Sequence, residues 1–376
     1  MRVLMTGGGT GGHVYPALAI AETIKMNDPT AEIAFVGTKK GIENRLVPKE
    51  GYKLYHVEIQ GISRSLSPKN IKTAYLIMVS PKKAKKIIEE FRPDVVIGTG
   101  GYVSWPLLKA AADMGIPSMV HESNAYPGLA VRQVQKKVDA ILTSFEETEK
   151  NIKYKEKIIN VGNPLRVKYG AISKDEARKK LGIPDSAKLT VLSFGGSLGA
   201  EAINNTALEL MKGFTLKHDD VYQFHASGVR YYEDIKPKLK DMGADGRENI
   251  KVFDYLYEMP LYMAAADVVI CRAGAMTLAE LAMIGKPAIL IPSPNVTDNH
   301  QYKNAKVVAD KGGAFLVEES ETMGSAVVGA LEDFYSNSSK REKMSEAMKS
   351  FARPDAGKNI YNEIIKLIAR KSKIKK

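Results

Sequence analysis

The 376 residues of the chain are enough for two domains, and 44% of them are hydrophobic, an ordinary share for a protein with large cores. The single cysteine, Cys271, excludes an intramolecular disulfide framework and is typical of a reducing compartment. The formal net charge of +12 favours anionic partners, although a solvated lysine-rich surface would give the same figure. We expect no nucleic-acid partner, because the chain lacks interleaved basic and aromatic motifs and zinc-finger spacing.

Apolar strand-like runs alternate with helix-like runs along the first half of the chain, an order typical of α/β folds with parallel sheets. The predicted strands are Val3–Thr6, Ile33–Val36, Leu54–Val57, Val95–Gly98, Ser118–His121 and Ala140–Thr143. The helices predicted between them include Tyr15–Lys25, Pro81–Phe91 and Trp105–Met114. We expect no signal peptide, because the chain opens on an apolar strand. We expect no transmembrane helix either, because no run of about 18 apolar residues occurs.

The second half repeats this alternation without clear sequence similarity to the first. Its predicted strands are Thr190–Phe194, Val221–His225, Ile250–Phe253, Val268–Cys271, Ala288–Ile291 and Ala314–Val317, with helices such as Met276–Ile284 and Asn304–Asp310. The sequence therefore predicts two Rossmann-like domains, at 1–164 and 165–352. A last helix, Lys358–Arg370 within a segment at about 353–376, is expected to pack back onto the first domain.

Glycine-rich loops follow several of the predicted strands. Gly7, Gly9 and Gly12 satisfy G-x-G-x-x-G, which alone is a weak signal for a dinucleotide site. The next strand ends in Lys39-Lys40 rather than in a carboxylate, which disfavours NAD and leaves NADP only weakly open. No P-loop motif occurs. The loops at 98–104 and 121–128 should lie at the same edge (rim) of the sheet as the loop at 7–13, because all three follow parallel strands. A fourth glycine loop, at 195–199, opens the second half of the chain.

Three polar groups in these loops are candidates for chemistry. His13 is a titratable side chain beside a possible anion site, so it is either a catalytic base or a structural hydrogen-bonding group. Glu280 is either a solvated helix residue or a carboxylate that accepts two ribose hydroxyls. Asp298-Asn299-His300-Gln301 is a polar cluster suited to sugar hydroxyls. We expect no metal, because the histidines lie far apart without ligand spacing.

Seven ordered motifs resemble those of the MurG family of bacterial N-acetylglucosaminyltransferases, which belongs to glycosyltransferase family 28. They are Gly-Gly-Thr-Gly-Gly-His (8–13), Gly-Gly-Tyr-Val-Ser (100–104), His-Glu-Ser-Asn (121–124), Gly-Asn-Pro-Leu-Arg (162–166), Gly-Gly-Ser-Leu-Gly-Ala (195–200), Cys-Arg-Ala-Gly-Ala-Met-Thr-Leu-Ala-Glu (271–280) and Asp-Asn-His-Gln (298–301). The match spans nearly the whole chain. Ser123, Ala273 and His300 depart from the family pattern, in which glutamine, serine and glutamine are common.

The resemblance implies a GT-B fold and an inverting transfer of GlcNAc from UDP-GlcNAc to the C4 hydroxyl of the muramoyl sugar of lipid I (undecaprenyl-pyrophosphoryl-MurNAc-pentapeptide), which makes lipid II for peptidoglycan. It implies His13 as the base. The donor-binding residues that it implies are Thr10, Gly11, Gly12, Asn124, Arg166, Ser197, Leu256, Ala275, Met276, Thr277, Leu278, Ala279, Glu280 and Gln301. The acceptor-binding residues are Gly100, Gly101, Tyr102, His121 and Glu122. No cofactor is expected.

The family is peripheral on the cytoplasmic face of the plasma membrane, and the segment 71–86 sets an apolar run beside Lys82, Lys83, Lys85 and Lys86. This segment is either an interfacial element that contacts anionic lipid or an ordinary amphipathic helix. Three other functions remain open: a diacylglycerol glycosyltransferase, a UDP-GlcNAc 2-epimerase that needs no acceptor, and a nucleotide-binding module without catalysis.

Overall fold

A computed structural model describes residues 1–61, 69–166 and 169–374 of the chain. The chain divides into two compact units, one of Met1–Arg166 with Arg353–Lys376 and one of Val167–Ala352. We call them the first and the second unit. Arg166 lies in the first unit, whereas the sequence analysis placed it in the second domain.

The first unit is built on a seven-stranded parallel sheet with the order β3-β2-β1-β4-β5-β6-β7. Its strands are β1 (Arg2–Thr6), β2 (Glu32–Gly37), β3 (Lys53–His56), β4 (Val95–Gly98), β5 (Ser118–Glu122), β6 (Ala140–Thr143) and β7 (Ile158–Asn160). Val3 on the central strand β1 pairs with Ile33 on one side and Val95 on the other. The edge strand β7 was not predicted, because three half-exposed residues give no buried apolar run.

Helices cover both faces of this sheet. They are α1 (Gly11–Asn27), α2 (Glu43–Lys49), α3 (Lys69–Phe91), α4 (Ser104–Asp113), α5 (Leu129–Val134), α6 (Glu146–Lys150) and the C-terminal α15 (Ala356–Ile374). Ile360 and Ile364 of α15 are fully buried in one core cluster with Ile20 of α1. On the other face, α3 and α4 bury residues such as Ile88 and Leu107. The C-terminal helix therefore belongs to the first unit.

Helices α1 and α3 begin well before the residues at which the sequence predicted them to start. Helix α1 begins at Gly11 rather than at Tyr15, so the last two loop glycines form its first turn. Helix α3 begins at Lys69, and Pro81 lies inside it rather than at its start. Proline removes one hydrogen bond from a helix interior. The apolar face of α3 still packs on both sides of Pro81, through Ile77 and Ile88, and this packing keeps the helix continuous.

The second unit has a six-stranded parallel sheet with the order β10-β9-β8-β11-β12-β13. Its strands are β8 (Leu189–Phe194), β9 (Val221–Ala226), β10 (Ile250–Phe253), β11 (Val268–Cys271), β12 (Ala288–Leu290) and β13 (Ala314–Leu316). Its helices are α7 (Lys174–Leu181), α8 (Glu201–Gly213), α9 (Val229–Asp241), α10 (Met259–Ala265), α11 (Ala275–Ile284), α12 (His300–Asp310), α13 (Met323–Ser336) and α14 (Ser338–Lys349). The prediction of two parallel-sheet α/β domains is confirmed.

The strand orders identify where each sheet can bind a ligand. In the first unit the chain direction across the sheet reverses between β1 and β4, and in the second unit it reverses between β8 and β11. Ligands of open parallel sheets bind beyond the carboxyl ends of the strands at such switch points. The segments that follow these four strands contain His13, Gly100, Ser197 and the residues that lead to Glu280.

Candidate functional site

The loop between β1 and α1 orients the imidazole of His13. Its Nδ1 lies 3.2 Å from the carbonyl oxygen of Gly8 and 3.1 Å from the hydroxyl of Thr10. A carbonyl oxygen only accepts hydrogen bonds, so the contact with Gly8 requires that Nδ1 carries the proton. In the neutral ring Nε2 is then the nitrogen with the lone pair. This tautomer is the one that a base acting through Nε2 requires.

The loop after β4 packs directly against His13. Thr99 donates its hydroxyl to the His13 carbonyl oxygen at 2.6 Å. Gly100 and Gly101 have φ angles of +101° and +79°, which glycine adopts without strain. A Cβ at Gly100 would lie 2.8 Å from His13 Cδ2 and 3.2 Å from Nε2. Tyr102 lies beside Gly9 on the same rim. The structure thus brings together the loops at 7–13 and 98–104, as the sequence predicted.

We expect Gly100→Ala to lower kcat by at least about tenfold. Alanine at position 100 would be strained, because the backbone there has a positive φ. Its methyl group would also overlap the edge of the His13 ring that includes Nε2. Gly115→Ala is the matched control, because Gly115 also has a positive φ (+67°) but nothing lies within 4 Å of its would-be Cβ. Steady-state kinetics of the two variants test this, and equal activity of Gly100→Ala and Gly115→Ala would contradict it.

His121 lies under the rim rather than on it. Its side chain is fully buried, Nε2 lies 2.9 Å from the carbonyl oxygen of Gly162, and Nδ1 lies 3.4 Å from the Ser123 hydroxyl. Burial lowers the pKa of His121 to about 4, because the charged ring would lose its hydration. The ring is therefore neutral at physiological pH. In this structure the His121 side chain supports the neighbouring loops, and its contact with an acceptor stays a prediction.

Glu122 is also buried, and its carboxylate holds the loop that follows β5. One oxygen accepts the backbone N–H of Asn124 at 2.9 Å and its side-chain amide at 3.0 Å, and the other accepts the N–H of Gly128 at 2.7 Å. Burial raises the pKa of this carboxyl, and the donated hydrogen bonds oppose that effect. Glu122 thus orients the half-exposed Asn124, and the contact of Glu122 itself with the acceptor stays a prediction.

In the second unit, the loop between β8 and α8 presents backbone amides. Gly196 and Gly199 have φ angles of +92° and +74°, and the exposed Ser197 lies between them. Helix α8 has 13 residues, and no side chain caps its N-terminus. A helix N-terminus with a glycine-rich approach favours phosphate groups. The structure therefore places Ser197 where a diphosphate could bind.

Helix α11 follows the other strand of this switch point and carries Glu280. Gly274 precedes the helix, the first turn contains Ala275, Met276 and Thr277, and Leu278 and Ala279 lead on to Glu280. Burial raises the pKa of the Glu280 carboxyl to about 7, and a hydrogen bond from the Tyr169 phenol partly offsets this effect. Burial and the Glu280 charge raise the pKa of Tyr169 well above its usual range, so the phenol keeps its proton and donates. The sequence analysis did not identify Tyr169.

Arg166 contacts two carboxylates of the first unit. Its guanidinium lies 2.7 and 3.1 Å from the two oxygens of Glu50 and 2.8 Å from Glu22. The arginine holds the pKa of Glu50 below its usual range. Contact of Arg166 with a donor diphosphate, which the sequence predicted, would require that the diphosphate replaces these carboxylates.

Two more of the predicted donor-binding residues lie at the carboxyl edge of the second sheet. Leu256 is buried between the exposed Tyr255 and Tyr257 after β10, so only its backbone is suited to a base contact. Gln301, in the first turn of α12, accepts the backbone N–H of Ser293 at 2.9 Å through its side-chain oxygen. Its side-chain NH₂ group is a donor of the kind that sugar hydroxyls accept.

Neither a metal cluster nor a membrane span is found in the part of the chain that the structure describes. No group of three or more His, Cys, Asp or Glu side chains in these residues is arranged to hold a metal ion. No helix among them combines the length and the apolar character needed to cross a bilayer.

Comparison with known proteins identifies the family. Residues 3–143 match the glycosyltransferase family 28 N-terminal domain, and residues 190–360 match the glycosyltransferase family 28 C-terminal domain. The chain belongs to glycosyltransferase family 28. The family membership that the seven motifs predicted, with its GT-B fold, is thereby confirmed.

Relatives within the family match over nearly the whole chain. A protein of Thermoanaerobacter sp. (strain X514), named UDP-N-acetylglucosamine–N-acetylmuramyl-(pentapeptide) pyrophosphoryl-undecaprenol N-acetylglucosamine transferase, is 43% identical over 97% of this chain and 99% of its own length. The protein of the same name from Lactococcus lactis subsp. cremoris (strain MG1363) is 40% identical over 96% and 98%. The crystal structure of Acinetobacter baumannii MurG superimposes with a TM-score of 0.77 at 27% identity and covers 97% of this chain and 99% of that one.

The fold is also shared with an enzyme of different activity. The UDP-GlcNAc 2-epimerase of Neisseria meningitidis, solved with UDP-GlcNAc bound, superimposes with a TM-score of 0.64 at 16% identity and covers 97% of this chain and 100% of that one. At this identity the likeness concerns the fold alone. The family models and the relatives at 40% identity or more therefore favour the transferase over the epimerase.

Proposed function

We infer that the chain transfers GlcNAc from UDP-GlcNAc to the C4 hydroxyl of the muramoyl sugar in undecaprenyl-pyrophosphoryl-MurNAc-pentapeptide, which forms lipid II for peptidoglycan. The observation that carries this inference is the orientation of His13 at the switch point of the first sheet, with Nδ1–H directed at the Gly8 carbonyl. Full-length relatives that are named for this reaction support the choice of donor and acceptor.

The proposed chemistry is a single displacement with inversion. Nε2 of His13 takes the proton of the C4 hydroxyl as its oxygen bonds to the anomeric carbon of GlcNAc. The bond from that carbon to the diphosphate breaks, and UDP leaves with the electron pair. The N-terminus of α8 and the Ser197 hydroxyl would stabilise the charge that develops on the diphosphate.

The proposed donor contacts are assigned residue by residue. Glu280 would accept the ribose hydroxyls, the backbone at Leu256 would contact the uracil, and Ser197 would contact the diphosphate together with Arg166 once its carboxylate partners are exchanged. The remaining proposed contacts are to GlcNAc and to the donor–acceptor junction, and they are Thr10, Gly11, Gly12, Asn124, Ala275, Met276, Thr277, Leu278, Ala279 and Gln301. We propose Gly100, Gly101 and Tyr102 for the acceptor, with His121 and Glu122 as supports beneath them.

Transfer of labelled GlcNAc from UDP-GlcNAc to a short-chain lipid I analogue, without added metal, tests the proposal. Formation of the disaccharide product is the expected result. A parallel reaction with UDP-GlcNAc alone detects an epimerase through acceptor-independent turnover, and diacylglycerol as the acceptor tests the remaining alternative. Turnover without acceptor, or transfer to diacylglycerol alone, would overturn the proposal.

We further propose that α3 binds the anionic cytoplasmic surface of the plasma membrane. Ile71, Tyr75 and Met78 lie on one face of this helix with 76%, 61% and 72% of their surfaces exposed. Lys82 and Lys86 continue the same helical face, because the spacings of three and four residues follow the helix period. Apolar residues flanked by lysines are typical of helices that insert shallowly into anionic bilayers. The opposite face, with Ile77 and Ile88, packs on the core that covers the sheet.

Replacing Lys82, Lys83, Lys85 and Lys86 by glutamate should weaken binding to phosphatidylglycerol vesicles at least about tenfold. Lysines near such a surface contribute about 1 kcal/mol each. Lys83 should contribute less, because it is 3.3 Å from Glu58. The matched control changes four exposed lysines of the second unit, Lys236, Lys238, Lys240 and Lys251, to glutamate. Vesicle co-sedimentation is the measurement, and equal loss in both variants would show a charge effect that is not specific to α3.

A further inference from the structure

A buried carboxylate is hydrogen-bonded to the loop that precedes His13. Glu43, the first residue of α2, is only 1% exposed. Its Oε1 accepts the backbone N–H and the hydroxyl of Thr38, both at 2.9 Å, and its Oε2 accepts the backbone N–H of Gly9 at 3.0 Å. All three donors are neutral groups. Burial of a carboxylate costs free energy unless it is well hydrogen-bonded. We therefore ask what Glu43 contributes at this position.

Glycines make room for this carboxylate. A Cβ at Gly8 would lie 2.7 Å from Glu43 Oε1, and Cβ atoms at Gly37 and Gly41 would also overlap the Glu43 side chain. Glycines after β1, at the end of β2 and just before α2 thus approach the same carboxylate. The packing fixes the Glu43 side chain in one place relative to the loop.

The hydrogen bonds of Glu43 and His13 meet at one peptide group. The carbonyl of Gly8, which accepts from His13 Nδ1, and the N–H of Gly9, which donates to Glu43 Oε2, belong to the same planar unit. In a trans peptide these two groups point in opposite directions. The carboxylate therefore holds one edge of the peptide and the imidazole holds the other.

We propose that Glu43 is a positioning residue for the transfer reaction, which acts through the Gly8–Gly9 peptide to keep His13 in the tautomer whose Nε2 accepts the proton. The proposal rests on the proposed function of His13 as the base. The charge of Glu43 polarises the peptide and makes the Gly8 oxygen a stronger acceptor, since linked hydrogen bonds reinforce one another. The imidazolium that forms during the reaction is stabilised by the same charge.

Glu43→Gln separates this role from simple packing. The oxygen of the new amide side chain can still accept from Thr38, but its NH₂ group would then face the Gly9 N–H, donor against donor. Thr38→Val is the matched control, because it removes a hydrogen bond to Oε1 and leaves the Oε2 contact with Gly9. Glu43→Asp keeps the charge and serves as the second variant if Glu43→Gln does not fold.

The decisive measurement is an NMR titration of the imidazole of His13 in the ligand-free protein, assigned with His13→Gln. Glu43→Gln should lower the pKa of His13 by about 0.5 to 1, and Thr38→Val should leave it unchanged. In Glu43→Asp the pKa should lie between those of the wild type and the glutamine variant. The proposal would be overturned if the pKa of His13 were the same in the wild type as in the Glu43 variant that folds, Glu43→Gln or Glu43→Asp. This titration needs no transferase activity, so it is independent of whether the proposed reaction occurs.

Kinetics supply a second readout. Glu43→Gln should lower kcat about tenfold, shift the acid limb of the kcat–pH profile to lower pH, and leave the KM for UDP-GlcNAc unchanged. In a His13→Ala background the same change should have almost no further effect on kcat, because the group through which it acts is gone. Full additivity of the two losses would show that Glu43 acts independently of His13 and would contradict the proposal. Absence of transfer by the wild type would instead contradict the proposed function.

Discussion

His13→Ala is expected to lower kcat by about 10²- to 10⁴-fold and to leave the dissociation constant of UDP-GlcNAc within about twofold of the wild type. Nε2 is proposed to accept a proton in the transition state, so its loss slows the chemical step. The loop between β8 and α8 and Glu280, which are proposed to bind the donor, lie in the second unit, so donor binding should persist. Single-turnover transfer measures the chemical step, and calorimetry measures donor binding.

The control for this prediction is His56→Ala. His56 is an exposed histidine of the same unit, and its Nε2 lies 2.8 Å from the side-chain oxygen of Asn44. Its replacement should leave kcat unchanged. Near-normal transfer by His13→Ala would show that His13 is a structural hydrogen-bonding group, which is the alternative that the sequence left open. Another group would then have to take the proton.

The fold was predictable from the sequence because its elements are locally consistent. The central strands β1, β4, β8 and β11 are almost entirely buried, and strands buried on both faces are rich in apolar residues, although Thr190 and Ser193 interrupt the run in β8. Glycines follow directly where the chain turns toward a helix. The ends of helices were harder to predict, since Gly11 and Gly12 are poor helix formers that α1 nevertheless includes.

The candidate site was only partly predictable, because a side chain's partners come from distant parts of the chain. Nothing in the residues around His121 indicates that Gly162 takes its Nε2, or that the ring is completely buried. Arg166 carries no local sign that Glu22 and Glu50 engage it. The glutamate at position 43 reads as an ordinary first-turn helix residue, and only the folded chain brings Gly9 within 3.0 Å of its carboxylate.

Glu280→Gln should weaken the binding of UDP-GlcNAc about 10²-fold, because hydrogen bonds to a charged group contribute about 1.5 to 3 kcal/mol each and a carboxylate accepts both ribose hydroxyls. Donor binding by the wild type should also strengthen up to about tenfold from pH 6 to pH 8. The pKa of Glu280 is about 7, so the carboxylate that accepts the hydroxyls is mostly protonated at pH 6 and mostly ionised at pH 8. The glutamine variant should show no such dependence, and calorimetry at three pH values measures both effects.

The raised pKa of Glu280 also predicts that the free energy of unfolding falls as the pH rises, although donor binding strengthens over the same range. Burial raises the pKa of Glu280 above the ordinary value of 4.5, so the folded protein binds this proton more tightly than the unfolded chain does. Its contribution to the free energy of unfolding is therefore lost as the pH rises from about 4.5 through about 7, by up to about 3 kcal/mol. Glu280→Gln should raise the melting temperature of the ligand-free protein at pH 8 while it weakens donor binding. Glu332→Gln, an exposed position on α13, should change neither quantity. A lower melting temperature of Glu280→Gln at pH 8 would mean that the ionised carboxylate stabilises the ligand-free fold. The proposed loss of stability on ionisation of Glu280 would then be wrong.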